Sequence, residues 1–224
     1  PMTTRESAGN SYERWLDGRT RLVSAALATI PARPGGLTLD VAAGDGGYSA
    51  MVAAALGTRL VTHDMSASEC RAAHAAGRAA VRGDALRLPF AGASADVTVA
   101  FEILEHFDAW NANALLREVS RVTKPGGAVL LSTPNRYSLE SWKGLARYVR
   151  DGTVWNARDA THVRLLSRRA LLKTVGAVLQ VERCFGYYLV PEFRGHATGW
   201  THVVAENPIA AGLCHKLLVV ARRP

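Results

Sequence analysis

The stretch LDVAAGDGGYS, residues 39–49, is rich in small residues and begins inside a short apolar run, residues 37–42. Glycines at the end of a strand allow a tight turn, and they let the backbone and the amides of a following helix approach a ligand closely. A nicotinamide-binding fingerprint would need G-x-G-x-x-G, but Ser49 stands where the third glycine should be, after Gly44 and Gly46. The loop alone therefore leaves open a dinucleotide, another nucleotide-bearing cofactor or no ligand at all.

The sequence after this loop alternates between two patterns. Short apolar runs predict strands, and apolar residues at helical spacing predict helices. The predicted strands are 37–42, 59–64, 79–84, 95–102 and 128–134, and the predicted helices between them are 48–56, 66–76 and 110–122. This alternation predicts an α/β fold with a mostly parallel sheet and helices on both faces. Ligands of such sheets bind at the edge formed by the carboxyl ends of the strands.

The flanking sequence completes a single predicted domain over residues 1–224. Residues 5–30 have helical periodicity and predict an N-terminal helical cap on the 37–134 core. A further helix is predicted over 167–177, and two final strands over 178–189 and 213–221. Two stretches lack this regular rhythm, 135–160 and 187–212, and we expect them to be insertions on the substrate side of the sheet.

Two acidic residues lie at the predicted carboxyl ends of the second and third strands. Asp64 follows Gly44 by 20 residues, where a carboxylate can accept hydrogen bonds from both hydroxyls of a ribose. Asp84 is placed to accept from the exocyclic amine of adenine, with the amide of Ala85 donating to a ring nitrogen. Taken singly, either acid could instead cap a helix or close a turn.

These residues together resemble the class I S-adenosylmethionine-dependent methyltransferases, in particular the ubiquinone and menaquinone methyltransferase group. The family loop D-x-G-x-G-x-G is matched from Asp40 to Gly46, except that Ala42 replaces the first glycine. The phrases ADVTVAFEILEHF (95–107) and RVTKPGGAVLLSTPN (121–135) resemble the fourth and fifth strands with their flanking segments. The resemblance extends from about Leu37 onward.

The resemblance implies a Rossmann-like fold with a seven-stranded sheet whose last strand is antiparallel. It implies S-adenosyl-L-methionine as the cofactor and S-adenosyl-L-homocysteine as the product. The extra methyl group of Ala42 is expected to displace the cofactor slightly. In this family, the cofactor-binding positions correspond here to Asp40, Ala42, Gly44, Gly46, Asp64, Met65, Asp84, Ala85 and Glu102, with Glu102 near the methionine end.

Glu105 and His106, which follow the fourth strand, are the candidate catalytic residues. A histidine titrates near neutral pH and suits the removal of a proton from an acceptor oxygen, although both residues could instead be structural. The spacing of Glu102, Glu105 and His106, with His162 further on, resembles the magnesium- or manganese-binding pattern of small-RNA 3′-end ribose methyltransferases. A divalent metal is therefore an open alternative, and no metal ligand is assigned.

The remaining predictions concern the acceptor and the compartment. Aromatic residues gather in the two insertions, and Arg164, Arg168, Arg169 and Lys173 follow the first, so the acceptor is expected to be aromatic or anionic. The leading hypothesis is O-methylation of a small molecule, a bacterial secondary metabolite. The alternatives are small-molecule N-methylation and 2′-O-methylation of an RNA 3′-end ribose with a divalent metal.

Composition adds limits to these hypotheses. The 224 residues carry a net charge of +8, but the arginines are dispersed, so a nucleic-acid partner is not favoured. The three cysteines are far apart and indicate reduced thiols. The N-terminal residues have no apolar signal, and no apolar run reaches the length of a membrane span. We therefore expect a cytoplasmic monomer or homodimer.

Overall fold

The computed structural model describes residues 20–44, 46–138, 161–187 and 204–224. The elements alternate between strand and helix over most of the chain, as predicted. The helices are α1 (residues 20–27), α2 (Gly47–Leu56), α3 (Ala67–Ala75), α4 (Ala109–Val122), α5 (Arg168–Gly176) and α6 (Pro208–Leu213). The strands are β1 (Leu37–Val41), β2 (Arg59–Asp64), β3 (Ala79–Arg82), β4 (Ala95–Phe101), β5 (Thr123–Pro134), β6 (Gln180–Tyr187), β7 (Val204–Ala205) and β8 (Lys216–Arg222). A 3₁₀ turn, Leu104–His106, follows β4.

The strands form one sheet in the order β3-β2-β1-β4-β5-β8-β6-β7. Strands β1 to β5 pair in parallel, and β8 is inserted antiparallel between β5 and β6. This confirms the α/β fold with a mostly parallel sheet and an antiparallel last strand. The sheet has an eighth strand beyond the seven expected, because the two-residue β7 pairs with the outer edge of β6.

Helices cover both faces of the sheet, as predicted. On one face α1 and α2 pack on alternate residues of the central strands, with Val23 and Val52 fully buried among Leu130 and Val220. On the other face α4 and α5 pack on the remaining residues of these strands, and Leu115 and Leu171 lie in the same core. Because successive side chains of a strand point to opposite faces, the near-continuous apolar sequence of β5 and β8 supplies both cores.

Strand β5 begins five residues earlier than predicted, at Thr123 rather than at residue 128. Thr123 pairs with Ala95 and Ala128 with Val97, so the Lys-Pro-Gly-Gly segment between them is looped out of the register. Gly126 has φ +70° there, a left-handed conformation that glycine adopts without strain. The Pro-Gly-Gly sequence therefore marks a bulge inside the strand and not a loop before it.

The C-terminal connection also differs from its prediction. Residues 208–213 form α6, which Asn207 caps through its side-chain oxygen, so β8 begins at Lys216 and not at residue 213. Proline at the first helical position fits this start, since its fixed φ suits a helix and its missing N–H needs no partner there. Of the predicted N-terminal cap, residues 5–19 lie outside the described part of the chain.

The described residues that flank the two predicted insertions are held by the core. The Asn135 side chain donates to the carbonyls of Gly212 (2.7 Å) and Cys214 (2.8 Å), and Ser138 is fully buried. At the second insertion, Tyr187 pairs with Val204 across β6 and β7. Residues 139–160 and 188–203 lie outside the described part, and with them most of the predicted substrate-side aromatic residues.

Candidate active site

The glycine-containing loop after β1 is held in place by the end of β2. The amide of Gly44 donates to Asp64 Oδ2 at 3.0 Å, and the amide of Ala43 donates to the carbonyl of His63 at 3.0 Å. Gly46, which caps α2, has φ +74°, and a Cβ there would lie 2.6 Å from Thr62 Cγ2. Glycine is thus required at position 46 for two reasons, the backbone conformation and the close approach of β2.

Ala42 adopts the left-handed conformation, with φ +57°. This is the position at which the family pattern has its first glycine, and the left-handed region costs a residue with a Cβ about 1 kcal/mol. The chain therefore keeps the loop conformation without the residue that best fits it. The expected displacement of the cofactor by this methyl group stays a prediction.

Asp64 lies where the sequence predicts it, at the end of β2. Its Oδ2 accepts from the Gly44 amide and its Oδ1 from the Ser66 amide at 2.8 Å. Each carboxylate oxygen has further lone pairs, so the orientation fixed by these bonds is compatible with accepting ribose hydroxyls. The adjacent Met65 side chain is 76% exposed and can lie against a ring.

Asp84 and Ala85 follow β3, next to the Asp64 turn. Asp84 is exposed and accepts from the Leu86 amide at 2.9 Å, so the turn-closing role that we left open is real. Ala85 is buried against the core.

His63 of β2 lies next to this turn and is 1% exposed, and its ring nitrogens have no hydrogen-bond partner among the described residues. Burial lowers the pKa of His63, which favours the neutral ring.

Glu102 follows β4 but its side chain is directed across β5. Its Oε1 accepts from Ser132 Oγ at 2.7 Å, and its Oε2 forms an ion pair with the ammonium group of Lys216 on β8. Its backbone has φ +55°, a strained conformation for glutamate. Because β5 and β8 lie on the side of β4 away from β1, these contacts hold the carboxylate on the β5 and β8 side of the sheet edge. Its predicted place near the methionine end stays a prediction.

Glu105 is fully buried in the 3₁₀ turn after β4. Its Oε2 accepts from Thr133 Oγ1 at 3.1 Å, while its Oε1 has no hydrogen-bond partner among the described residues. Burial, and after it the negative charge of Glu102, raises the pKa of Glu105 from 4.5 to about 7. The side chain can therefore gain and lose a proton near neutral pH.

His106 and His162 meet beside Glu105. Their ring centroids are 5.2 Å apart at an interplanar angle of 65°, and His106 Nδ1 lies 3.1 Å from the carbonyl oxygen of Thr161. One ligand atom from each of Glu105, His106 and His162 lies within 4.8 Å of the others. The chain thus brings together three of the four residues of the metal-like pattern, although 56 positions separate the two histidines.

Two features of this site have no counterpart in the sequence predictions. Lys216 neutralises Glu102, and the consecutive hydroxyls of Ser132 and Thr133 orient the two glutamates. Only the pairing of β5 with β8 brings Lys216 to this edge, and that pairing cannot be derived from local sequence. The adjacent hydroxyl residues Ser132 and Thr133, which follow the apolar part of β5, were the available sequence signal for this part of the site.

The residues at the β1 and β2 ends fit an adenosine-bearing cofactor. Gly44 and Gly46 both have positive φ and leave the loop without side chains at those positions. Asp64 presents a carboxylate 20 residues after Gly44 in sequence but in direct contact with it. Backbone amides at a helix start together with an oriented carboxylate are what a ribose and its linked chain require.

Comparison with known proteins gives the class of protein that this chain resembles. Residues 39–131 match the family described as a methyltransferase domain. This part of the chain is similar to the class I S-adenosylmethionine-dependent methyltransferases, the family that the sequence motifs resemble, whose cofactor is S-adenosylmethionine.

Particular relatives refine this assignment. A protein of Mycolicibacterium smegmatis named as an S-adenosylmethionine-dependent methyltransferase is 36% identical over 141 residues, covering 61% of this chain and 52% of the relative. The demethylmenaquinone methyltransferase of Mycobacterium marinum is 40% identical over 114 residues, 49% of this chain and 48% of the relative. The 27-O-demethylrifamycin SV methyltransferase of Amycolatopsis mediterranei is 30% identical over 153 residues, 62% of this chain and 54% of the relative.

The chain therefore spans about half the length of the curated relatives it matches. Among solved structures, a SAM-dependent methyltransferase from Thermotoga maritima superposes with a TM-score of 0.67 at 19% identity, covering 96% of this chain and 95% of that one. This likeness shows the fold. Within the described residues, no helix has both the length and the apolarity needed to cross a membrane.

Proposed function

We propose that this protein transfers the methyl group of S-adenosylmethionine to an oxygen atom of a small molecule, a secondary metabolite of a bacterium. The observation that carries this proposal is the meeting of Glu105, His106 and His162 at the carboxyl edge of the sheet. The relative from Amycolatopsis mediterranei, whose name states an O-linked methyl group on rifamycin SV, supports this acceptor class.

The site has two halves with separate tasks in this reaction. We call the β1 and β2 side the cofactor half and the β4, β5 and β8 side the acceptor half. The bound cofactor supplies an electrophilic methyl group on a positively charged sulfur. Asp64 and the loop from Ala42 to Gly46 bind and orient the adenosine, with Asp84, Ala85 and Met65 around the base. Holding both partners in line contributes more to the rate than any covalent help from the protein, because the methyl group is already activated.

An acceptor hydroxyl must lose its proton as its oxygen is methylated. Glu105 has a pKa raised to about 7, so a large share is ionised at neutral pH, and its unbonded Oε1 can receive a proton. The neighbouring His106 can take the same proton directly and pass it to bulk water. Glu105 thus meets the requirement that a general base titrate near the working pH.

A second candidate adds a divalent cation to the same reaction. Glu105, His106 and His162 offer one carboxylate and two imidazoles whose ligand atoms lie within 4.8 Å of one another. That donor set suits transition-metal ions such as Mn²⁺ or Zn²⁺, and an ion held there would lower the pKa of an acceptor hydroxyl. In this variant Glu105 and His106 act as ligands rather than as proton acceptors.

The test is a methyl-transfer screen with methyl-labelled cofactor and fractionated bacterial extracts, followed by identification of the labelled product. We expect a methyl ether, and we expect His106→Ala to lower kcat by about 100-fold while the Kd for S-adenosylhomocysteine is unchanged. His74→Asn, at an exposed histidine of α3, is the matched control and should behave as wild type.

Three other outcomes would contradict parts of the proposal. A labelled N-methyl product would overturn oxygen as the acceptor atom, and a labelled RNA 3′ end would overturn the small molecule. Calorimetry that detects no S-adenosylhomocysteine binding would overturn the methyltransferase activity itself. Activity that is lost on chelation and restored by Mn²⁺ would select the second candidate over the first.

A further inference from the structure

Lys216 lies at the carboxyl edge of the sheet, in the acceptor half, where it supplies a positive charge. It is the first residue of β8, where it pairs in register with Pro134 of β5 and Tyr187 of β6. Its ammonium group is bound to Glu102, and both side chains are largely buried, at 18% and 20% exposure. A partly buried ion pair holds its geometry better than a pair in open solvent, where screening and side-chain entropy weaken it.

The pair lies next to the Glu105, His106 and His162 cluster without belonging to it. Ser132 binds Glu102 and the following residue, Thr133, binds Glu105, so two consecutive residues of β5 hold the two carboxylates. Consecutive side chains of a strand point to opposite faces. Each glutamate is nevertheless fixed by its own hydroxyl, and the two carboxylates lie close enough for the Glu102 charge to raise the pKa of Glu105.

We propose that Lys216 controls how tightly the Glu105–His106–His162 cluster binds a divalent cation, by neutralising the nearby carboxylate of Glu102. This inference rests on the second candidate of the proposed function. With Lys216 present, Glu102 and Lys216 carry no net charge, and Glu105 is the anionic member of the cluster. The cluster then binds a cation through three protein ligands, and the remaining coordination positions stay available to an acceptor oxygen.

The expected size of the effect follows from the charge balance. Loss of the ammonium group removes one positive charge from beside the cluster. At an effective dielectric constant near 20 and a separation of several ångström, one such charge changes cation affinity by about tenfold. At a pH well above the Glu105 pKa of about 7, where this ligand is ionised with or without Lys216, the direction is a gain in affinity, which damage to the fold would not produce.

The test is titration of the whole protein with Mn²⁺, followed by calorimetry and by the loss of the free-ion electron paramagnetic resonance signal. We expect Lys216→Met to bind Mn²⁺ about tenfold more tightly than wild type, and Lys216→Arg to match wild type because it keeps the charge. The double variant Glu102→Gln with Lys216→Met should return to the wild-type affinity, since it loses one negative and one positive charge together.

The matched control is Lys124→Met, which breaks another lysine–carboxylate pair, with Asp96. This pair lies near the amino ends of β4 and β5, away from the carboxyl edge. It should leave the Mn²⁺ affinity unchanged. If wild type binds Mn²⁺, Glu105→Gln loses the binding and Lys216→Met equals wild type, the role of Lys216 is overturned while the cation site stands. If neither wild type nor Lys216→Met binds Mn²⁺, the cation candidate itself is overturned, and the role of Lys216 with it.

Discussion

The two halves of the carboxyl edge are built by different means. On the β1 and β2 side, the site consists of backbone conformation: positive φ at Ala42, Gly44 and Gly46, and amides that bond to the end of β2. On the β4, β5 and β8 side, it consists of ionisable side chains, with two glutamates, a lysine and two histidines in or beside one cluster. The first half can be recognised from local sequence, whereas the second depends on which strands become neighbours.

The largest expected effect tests how strictly the cofactor half depends on backbone. Gly46→Ala combines a left-handed φ of +74° with a Cβ only 2.6 Å from Thr62 Cγ2, and should lower the free energy of unfolding by about 3 kcal/mol. The measurement is chemical denaturation. Gly77→Ala is the matched control, because it has the same φ of +74° but nothing within 4 Å, and should lose only about 1 kcal/mol. Equal losses would show that the contact with Thr62 contributes nothing.

Asp64 is the side chain of the proposed cofactor half that contacts the glycine-containing loop directly. Asp64→Ala removes the bond to the Gly44 amide together with the proposed ribose acceptors, so the Kd for S-adenosylhomocysteine should rise by about 100-fold. Asp96→Asn, remote from this edge, should leave that Kd unchanged in the same calorimetric experiment. An unaltered Kd for Asp64→Ala would place the ribose elsewhere.

Glu105 gives the acceptor half a pH dependence of its own. Its folded pKa of about 7 lies above the ordinary 4.5, so the folded state retains the proton longer and stability falls as pH rises from 4.5 to 7. Glu105→Gln has no such proton. Measured with chelator present, the variant should gain about 3 kcal/mol over wild type between pH 4.5 and pH 8. A constant difference across that range would show that Glu105 titrates normally.

The smallest effect concerns Ala42, where the cofactor half departs from its family pattern. Ala42→Gly relieves the left-handed strain at φ +57° and should raise the free energy of unfolding by about 1 kcal/mol in chemical denaturation, after allowing for the greater freedom of glycine in the unfolded chain. Ala93→Gly offers a comparison at φ +54° outside the site. A loss of stability at Ala42 alone would mean that the methyl group makes a useful contact.

The same contrast explains how much could be predicted from sequence. The strands from β1 to β4, the loop after β1 and the positions of Asp64 and Asp84 all follow from local periodicity and from acids at strand ends. The early start of β5 could not be predicted, because Lys-Pro-Gly-Gly reads as a loop unless the pairing of Thr123 with Ala95 is known. Lys216 was missed since its role arises from the insertion of β8 between β5 and β6.

The described residues that flank segments 139–160 and 188–203 show where the chain leaves and rejoins the core. Asn135 and Ser138 hold the chain where the first segment begins, and the Thr161 carbonyl contacts His106 where it ends. The second segment begins and ends at one paired step, Tyr187 with Val204. Both segments therefore start and finish at described residues that the sheet and the Glu105–His106 turn hold in place, on the half of the edge that does not carry the glycine-containing loop.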